Sequence, residues 1–187
     1  MTTEYLLDKE VEHVLAALMP QNALIFRVIL RTGARVGDVV SLKTDRLKPS
    51  FWYIEQKTGK PRRMGLGEDL CRQIKAQAGP VWAFPSARTD GHKTRQAVWA
   101  DLKRAERAFR LPVNVGTHSG RKVYAVHMLE KYGDVKKVQK CLNHSNPGIT
   151  AIYAMADRLL DAKLAAKKKG VSGVKTPDVD QNSTTHR

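Results

Sequence analysis

The chain has 187 residues and a mass of 20.9 kDa, enough for one domain of ordinary size with a buried core. Hydrophobic residues at 42% and charged residues at 27% describe a folded composition, and 33 Lys plus Arg against 18 Asp plus Glu leave a formal charge of +15. So basic a balance calls for a polyanion, nucleic acid before an anionic membrane surface, and no apolar run approaches the ~20 residues that span a bilayer.

The first residues, MTTEYLLDKEVE, are acidic and lack the basic-then-apolar order of a secretory signal. A helix is predicted over 8–19, capped by Asp8, with Val11, Val14, Leu15 and Leu18 on one face. A second, nearly apolar all round, spans 22–32 from an Asn22 cap to a Gly33 stop, and a short third covers 36–43. Phe51-Trp52-Tyr53-Ile54 favours a strand. Lys57-Thr58-Gly59-Lys60 turns the chain, and Arg62 to Leu66 returns to complete a small basic hairpin. Helices follow at 68–77 and from a Thr94 cap to Phe109.

Thr117 is expected to cap a helix that runs to Lys131 and stops at Gly133, and Asp134 to cap a short one ending near Asn143. Pro147 opens the helix that carries Tyr153, and a last helix covers 157–168. Residues 169–187 form a basic, polar tail expected to be disordered. Cys71 and Cys141 stand in no CxxC spacing, so free thiols in a reducing cytoplasm are expected rather than a disulfide framework or zinc site. The histidines show no H-x-x-x-H, and no metal site is expected. The fold class is mainly α with one small antiparallel β-hairpin.

Four patterns occur in order: Thr32-Gly33-Ala34-Arg35-Val36-Gly37-Asp38; Gln56-Lys57-Thr58-Gly59-Lys60; His118-Ser119-Gly120-Arg121; and Leu142-Asn143-His144 with Tyr153 nine positions on. Singly they are weak or moderate signals. Together, each in its expected element, they resemble the tyrosine recombinase (phage integrase) family over about residues 5–160.

The resemblance implies a catalytic domain over 1–168 that cuts and rejoins DNA at specific sites through a 3′-phosphotyrosine, with no metal, cofactor or ATP. It implies Tyr153 as nucleophile, and Arg35 and Arg121 on the non-bridging phosphate oxygens, where a planar fork makes paired bonds. Lys57 would be the general acid for the 5′-oxygen, His118 would assist proton transfer, and His144 would donate to the phosphate. Asp38 matches the family's acidic position, which supports the basic groups. Lys60 is Lys57's rival for the acid role; Tyr124 and Tyr132 are rivals to Tyr153, with Tyr124 expected to pack. His13, His92 and His127 are read as structural. Lys60, Arg62, Arg63, Lys93, Arg95 and Lys122 are expected to contact DNA.

The partners implied are double-stranded DNA and further copies of the chain, as dimer or tetramer on DNA, with no membrane, in a cytoplasmic, nucleoid-associated setting. A topoisomerase-like nick-and-reseal enzyme and a non-cutting DNA-binding regulator are the alternatives. The usual N-terminal clamp domain of that family is expected to be absent. Ser119-Gly120 stands where Asp-Leu is commoner, and Asn143 where glycine is usual. Gly120 inside a helix costs about 1 kcal/mol against alanine, so a looser helix is expected there.

Overall fold

The structure, a computed structural model, describes residues 3–142. Its elements run α1 (Asp8–Ala17), α2 (Pro20–Thr32), α3 (Val36–Val40), β1 (Ser50–Ile54), β2 (Pro61–Gly65), α4 (Glu68–Gln77), α5 (Arg95–Ala108), α6 (Ser119–Tyr132) and α7 (Val135–Leu142). The predicted mainly helical architecture with one antiparallel hairpin is what the described residues form.

Helix α2 is the central element. Ile25, Phe26, Val28 and Ile29 are all fully buried, as its all-round apolar sequence requires. It packs against α1, α3, α4 and α6. The approach to α6 is close at Gly120, where an added Cβ would stand 3.0 Å from Phe26 Cε2 and 3.2 Å from Ile29 Cγ2. Gly120 therefore allows a tight helix crossing, a packing reason for glycine at this position whatever its cost in helix propensity.

Three helix starts differ from the sequence reading, those of α1, α2 and α6. Helix α1 opens one residue early, from Leu7, whose N–H donates to Glu10 Oε2 at 2.7 Å; Asp8 is inside the first turn. Helix α2 opens at Pro20, and Asn22 is buried within it rather than capping it. The cap comes from Asp101 of α5: its Oδ2 accepts from Met19 N–H at 2.9 Å and from Asn22 Nδ2 at 2.7 Å. A donor pair satisfied from a distant helix leaves no local sequence signature.

Other signals act as read. Thr94 caps α5, its hydroxyl accepting from Ala97 N–H at 3.1 Å. Gly133 ends α6 in the left-handed region at φ 59°. Asp134 Oδ1 accepts from Lys136 N–H at 2.8 Å at the start of α7. The N-cap of α6 is His118, one residue past the expected Thr117.

The hairpin is antiparallel, with Phe51 opposite Met64 and Tyr53 opposite Arg62. Alternation along β2 turns Arg62 and Met64 inward and Pro61, Arg63 and Gly65 outward. Cys71 is buried and Cys141 half-buried, both as free thiols. No helix of the described residues is long and apolar enough to cross a membrane.

Candidate active site

The end of α2 sets the first candidate position. Thr32 Oγ1 donates to Val28 O at 2.7 Å, and Gly33, at φ 61°, sends its N–H to Ile29 O at 2.8 Å. A side chain at Gly33 would collide with the Tyr124 ring, so this position needs glycine for both its backbone and its clearance. The turn delivers Arg35 to the N-cap of α3 in extended conformation.

Arg35 does not stand alone. Its Nη1 lies 2.8 Å from Glu55 Oε2, and the other oxygen, Oε1, receives Arg62 Nη1 at 3.1 Å. Thr58 Oγ1 donates to Glu55 Oε2 as well, at 2.8 Å. Glu55 has no solvent exposure. Burial alone would push its carboxyl pKa up; hydrogen bonds from Thr58, Arg35 and Arg62, with the Arg35 charge, outweigh it and hold the value below normal. Sequence reasoning missed Glu55. The available signal was strand parity, since Phe51, Tyr53 and Glu55 share the inward side of β1 and its extension.

The same parity corrects Arg62, expected on the DNA. It is buried, and beyond Glu55 its guanidinium donates to Thr32 O at 2.5 Å and Gly33 O at 3.3 Å. It closes the C-terminal end of α2 instead of reaching a phosphate.

Arg121 lies in the first turn of α6 and is buried, donating through Nη1 to Gly33 O and through Nη2 to Leu142 O at 2.6 Å. Burial first, then the charges of Arg62 and Arg35, pull its guanidinium down to about 10, still cationic at neutral pH. Asp38 ties α3 to the hairpin, its Oδ1 accepting from Gln56 N–H at 2.9 Å. Burial raises the Asp38 pKa above the ordinary carboxylate value.

Lys57 is exposed in the hairpin turn. The turn is closed by Glu55 N–H to Lys60 O at 3.0 Å and Gly59 N–H to Glu55 O at 2.9 Å, with Gly59 at φ 65°. His118 senses the whole group: partial burial, then the charges of Arg121, Arg35, Lys57 and Lys122, hold its pKa below that of a free imidazole. The imidazole is thus neutral and able to accept a proton at neutral pH. Arg35, Lys57, His118 and Arg121 are therefore gathered at one place; His144 and Tyr153 lie outside the described residues.

Lys60, Arg63 and Arg95 are exposed, and Arg95 Cδ comes within 3.5 Å of where a Gly37 Cβ would be, beside the site. Lys93 and Lys122 are half-buried, and Lys122 Nζ donates to Thr3 O. Tyr124 packs on Gly33, as expected, and burial raises its pKa. Tyr132 sits among cations, with Lys131 Nζ 5.4 Å from its ring centroid. His13 stacks on Phe109 at 4.7 Å, His92 meets the Trp82 ring edge-on at 5.0 Å, and His127 Nε2 lies 3.8 Å from Asp8 Oδ1.

A mainly helical frame around one antiparallel hairpin is the fold of tyrosine recombinase catalytic domains. The sequence pattern of the phage integrase family matches residues 4–158, and the chain belongs to that family. It is 29% identical over 166 residues to the probable integrase/recombinase YoeC of Bacillus subtilis, covering 86% of this chain and 90% of that protein. It is 33% identical over 158 residues to the tyrosine recombinase XerD of Rhizobium meliloti, covering 78% of this chain and 50% of XerD. The chain therefore spans nearly all of the one relative and half of the other. The crystal structure of XerA recombinase superposes with a TM-score of 0.69 at 20% identity, over 86% of this chain and 63% of that one. Other solved neighbours of this fold are recombinases and integrases held on DNA.

Proposed function

We propose that this chain is a site-specific recombinase that cuts and rejoins duplex DNA through a 3′-phosphotyrosine intermediate, without metal or ATP. The observation that carries the reading is the gathering of Arg35, Arg121, neutral His118 and the Lys57 turn at the end of α2. Phosphodiester cleavage without metal needs a nucleophile, cover for the non-bridging oxygens and a proton for the leaving oxygen.

Tyr153 Oη forms the new bond to phosphorus as the bond from phosphorus to the 5′-oxygen breaks. The phenol's proton passes to His118, and a proton from Lys57 Nζ caps the departing 5′-oxygen. Arg35 and Arg121 hold the non-bridging oxygens, and His144 donates a further hydrogen bond to them. The phosphotyrosine ester keeps the energy of the broken bond, so attack by a free 5′-hydroxyl reverses the steps and reseals DNA.

The catalytic unit is taken as residues 1–168, with 169–187 as a tail. The partners are duplex DNA and further copies of the chain assembled on it, in the cytoplasm and on the nucleoid; the net charge of +15 supports the first. Binding to duplex should weaken with salt at a log–log slope of about −0.9 per phosphate neutralised.

Incubation with pooled nicked duplexes, which trap the covalent species, tests the reading. Wild-type chain should give an adduct that survives a denaturing gel, and Tyr153→Phe should give none while melting and binding DNA as before. An adduct that persists in Tyr153→Phe and disappears in Tyr124→Phe would reassign the nucleophile.

A further inference from the structure

We propose that Glu55 is a positioning residue for strand cleavage, its buried carboxylate fixing the Arg35 guanidinium, the Lys57 turn and the Arg62 clamp in one geometry. The proposal rests on the strand-cleavage reading above and deepens it.

Glu55 lies at the base of the hairpin turn, with no surface open to a substrate. Its two oxygens receive three side-chain donors, from Arg35 at 2.8 Å, Thr58 at 2.8 Å and Arg62 at 3.1 Å. Each donor belongs to a different piece of the site. Arg35 follows α2, Thr58 is the residue after Lys57, and Arg62 returns along β2 to the Thr32 and Gly33 carbonyls. Arg121 donates to that same Gly33 carbonyl and, through Leu142 O, holds the chain two residues before His144. One carboxylate thus stands at the centre of a continuous set of hydrogen bonds that reaches both arginines and the lysine turn.

The chemistry gives this arrangement its use. Arg35 spends one nitrogen on Glu55, and its side chain stays 16% exposed, so the remaining N–H groups of the fork are free for a phosphate. A guanidinium already fixed in direction loses little freedom when the phosphate arrives. The Thr58 bond sets the turn one residue from Lys57, and so the height of its ammonium over the leaving oxygen. Stability alone does not call for such a cluster, because apolar replacement of buried ion-pair triads is often neutral or stabilising.

The test is single-turnover cleavage of nicked duplex by the full chain, with the dissociation constant measured on the same DNA. Glu55→Gln keeps the shape but removes the charge and presents a donor where Arg62 needs an acceptor. Its cleavage rate should fall about 10- to 100-fold, as for loss of other groups that orient a catalytic set, with binding changed less than about 3-fold. In the Arg35→Ala background, Glu55→Gln should cost less than it does in wild type, because the share that acts through Arg35 is already lost. Thr58→Val should lose several-fold on ordinary DNA and recover when the 5′-bridging oxygen is sulfur, which leaves unprotonated.

Undiminished cleavage by Glu55→Gln, a loss explained wholly by weaker DNA binding, or losses that simply multiply in the double variant would overturn the proposal. If Glu55→Gln does not fold, Thr58→Val decides: a wild-type rate on ordinary DNA overturns it. Wild-type chain run alongside separates the two levels. No adduct from wild type removes the strand-cleavage reading itself; adduct from wild type with unimpaired variants removes only the positioning role.

Discussion

Helix α2 is finished at both ends by buried charge, and the two ends differ in what the charge does besides. At the N-terminal end the Asp101 carboxylate accepts from Met19 N–H and Asn22 Nδ2 and is held from its other side by Arg104, at 2.6 Å. At the C-terminal end Arg62 and Arg121 donate to the Thr32 and Gly33 carbonyls. An anion at the positive end of a helix and cations at the negative end both suit the macrodipole. The N-terminal cap bonds to none of the residues given a catalytic role above. The C-terminal cap includes Arg121, which the proposed reaction uses on the phosphate. The comparison teaches that the guanidinium assigned to the phosphate in the proposed reaction is also held in place by a structural job, so damage at the two ends should look different: melting alone at one, melting and rate at the other.

The sharpest way to break that contrast is Arg121→Ala. It removes a phosphate donor, takes the side-chain donor from the Leu142 carbonyl and leaves the Gly33 carbonyl to Arg62 alone. Cleavage should fall by roughly 10³ to 10⁵, in the range of arginines that cover phosphoryl charge. Stability should drop by about 2–4 kcal/mol on loss of a buried charged partner. A urea titration beside the adduct assay checks both; an unchanged midpoint would mean that Arg121 does no capping. Arg121→Lys should restore part of the stability and little of the rate, because an ammonium lacks the fork.

Lys57→Ala comes next and should show the opposite pairing. The residue is exposed in a turn, so the melt should not move. Cleavage of ordinary DNA should fall about 10²- to 10⁴-fold, the span for losing a general acid. A 5′-bridging sulfur should recover most of that, and Arg121→Ala should gain nothing from it. Equal recovery in both variants would remove the acid role from Lys57; recovery in Lys60→Ala instead would transfer it.

These contrasts also show what was legible in the residues. The T-G-x-R stretch was readable because its cause is local: Gly33 needs a positive φ, and the helix must end there for Arg35 to turn out. The Thr94, Gly133 and Asp134 signals are local too. The Asn22 cap was misread because its real counterpart, Asp101, lies far along the chain in α5. Arg62 was placed on the DNA by its charge, although its alternation with Met64 and Leu66 already put it on the buried face. Glu55 was missed for a related reason: its place as a buried acid depends on strand parity and on Arg35, which lies beyond the hairpin at the end of α2, as well as on Thr58 and Arg62 within it.

At the N-terminal end of α2, Asp101→Ala should cost about 2–3 kcal/mol: it unpairs Met19 N–H and the buried Asn22 amide, while its ionic partner Arg104 is half-exposed and adds little. Below the melting transition the cleavage rate per folded molecule should stay at the wild-type value. A rate loss matching that of Arg121→Ala would erase the distinction between the two ends.

The smallest effect is the most specific, and it appears only in acid. Hydrogen bonds and the nearby arginines hold the carboxyl pKa of Glu55 below its ordinary 4.5, against the burial that would raise it. Asp101 is held below its ordinary 3.8 in the same way, by Asn22, the Met19 N–H and Arg104. A carboxylate lowered on folding adds stability above its unfolded pKa and loses it as pH falls through the folded one. Asp38 has the opposite sign: burial raises its folded pKa above 3.8, so acidification relieves a cost and offsets part of the loss. His118, lowered on folding, begins to subtract stability higher up, as pH drops past about 6.5. Urea midpoints taken between about pH 5 and pH 3 follow the carboxylates when each variant is compared with wild type, since the His118 contribution is common to both. Glu55→Gln and Asp101→Asn should each flatten the acid limb, and together flatten it further, because the two ends of α2 share no partner. Asp38→Asn should steepen it. An acid limb in Glu55→Gln as steep as in wild type would mean that the carboxylate at the catalytic end carries no net stabilising charge, and the likeness between the two ends would fail there.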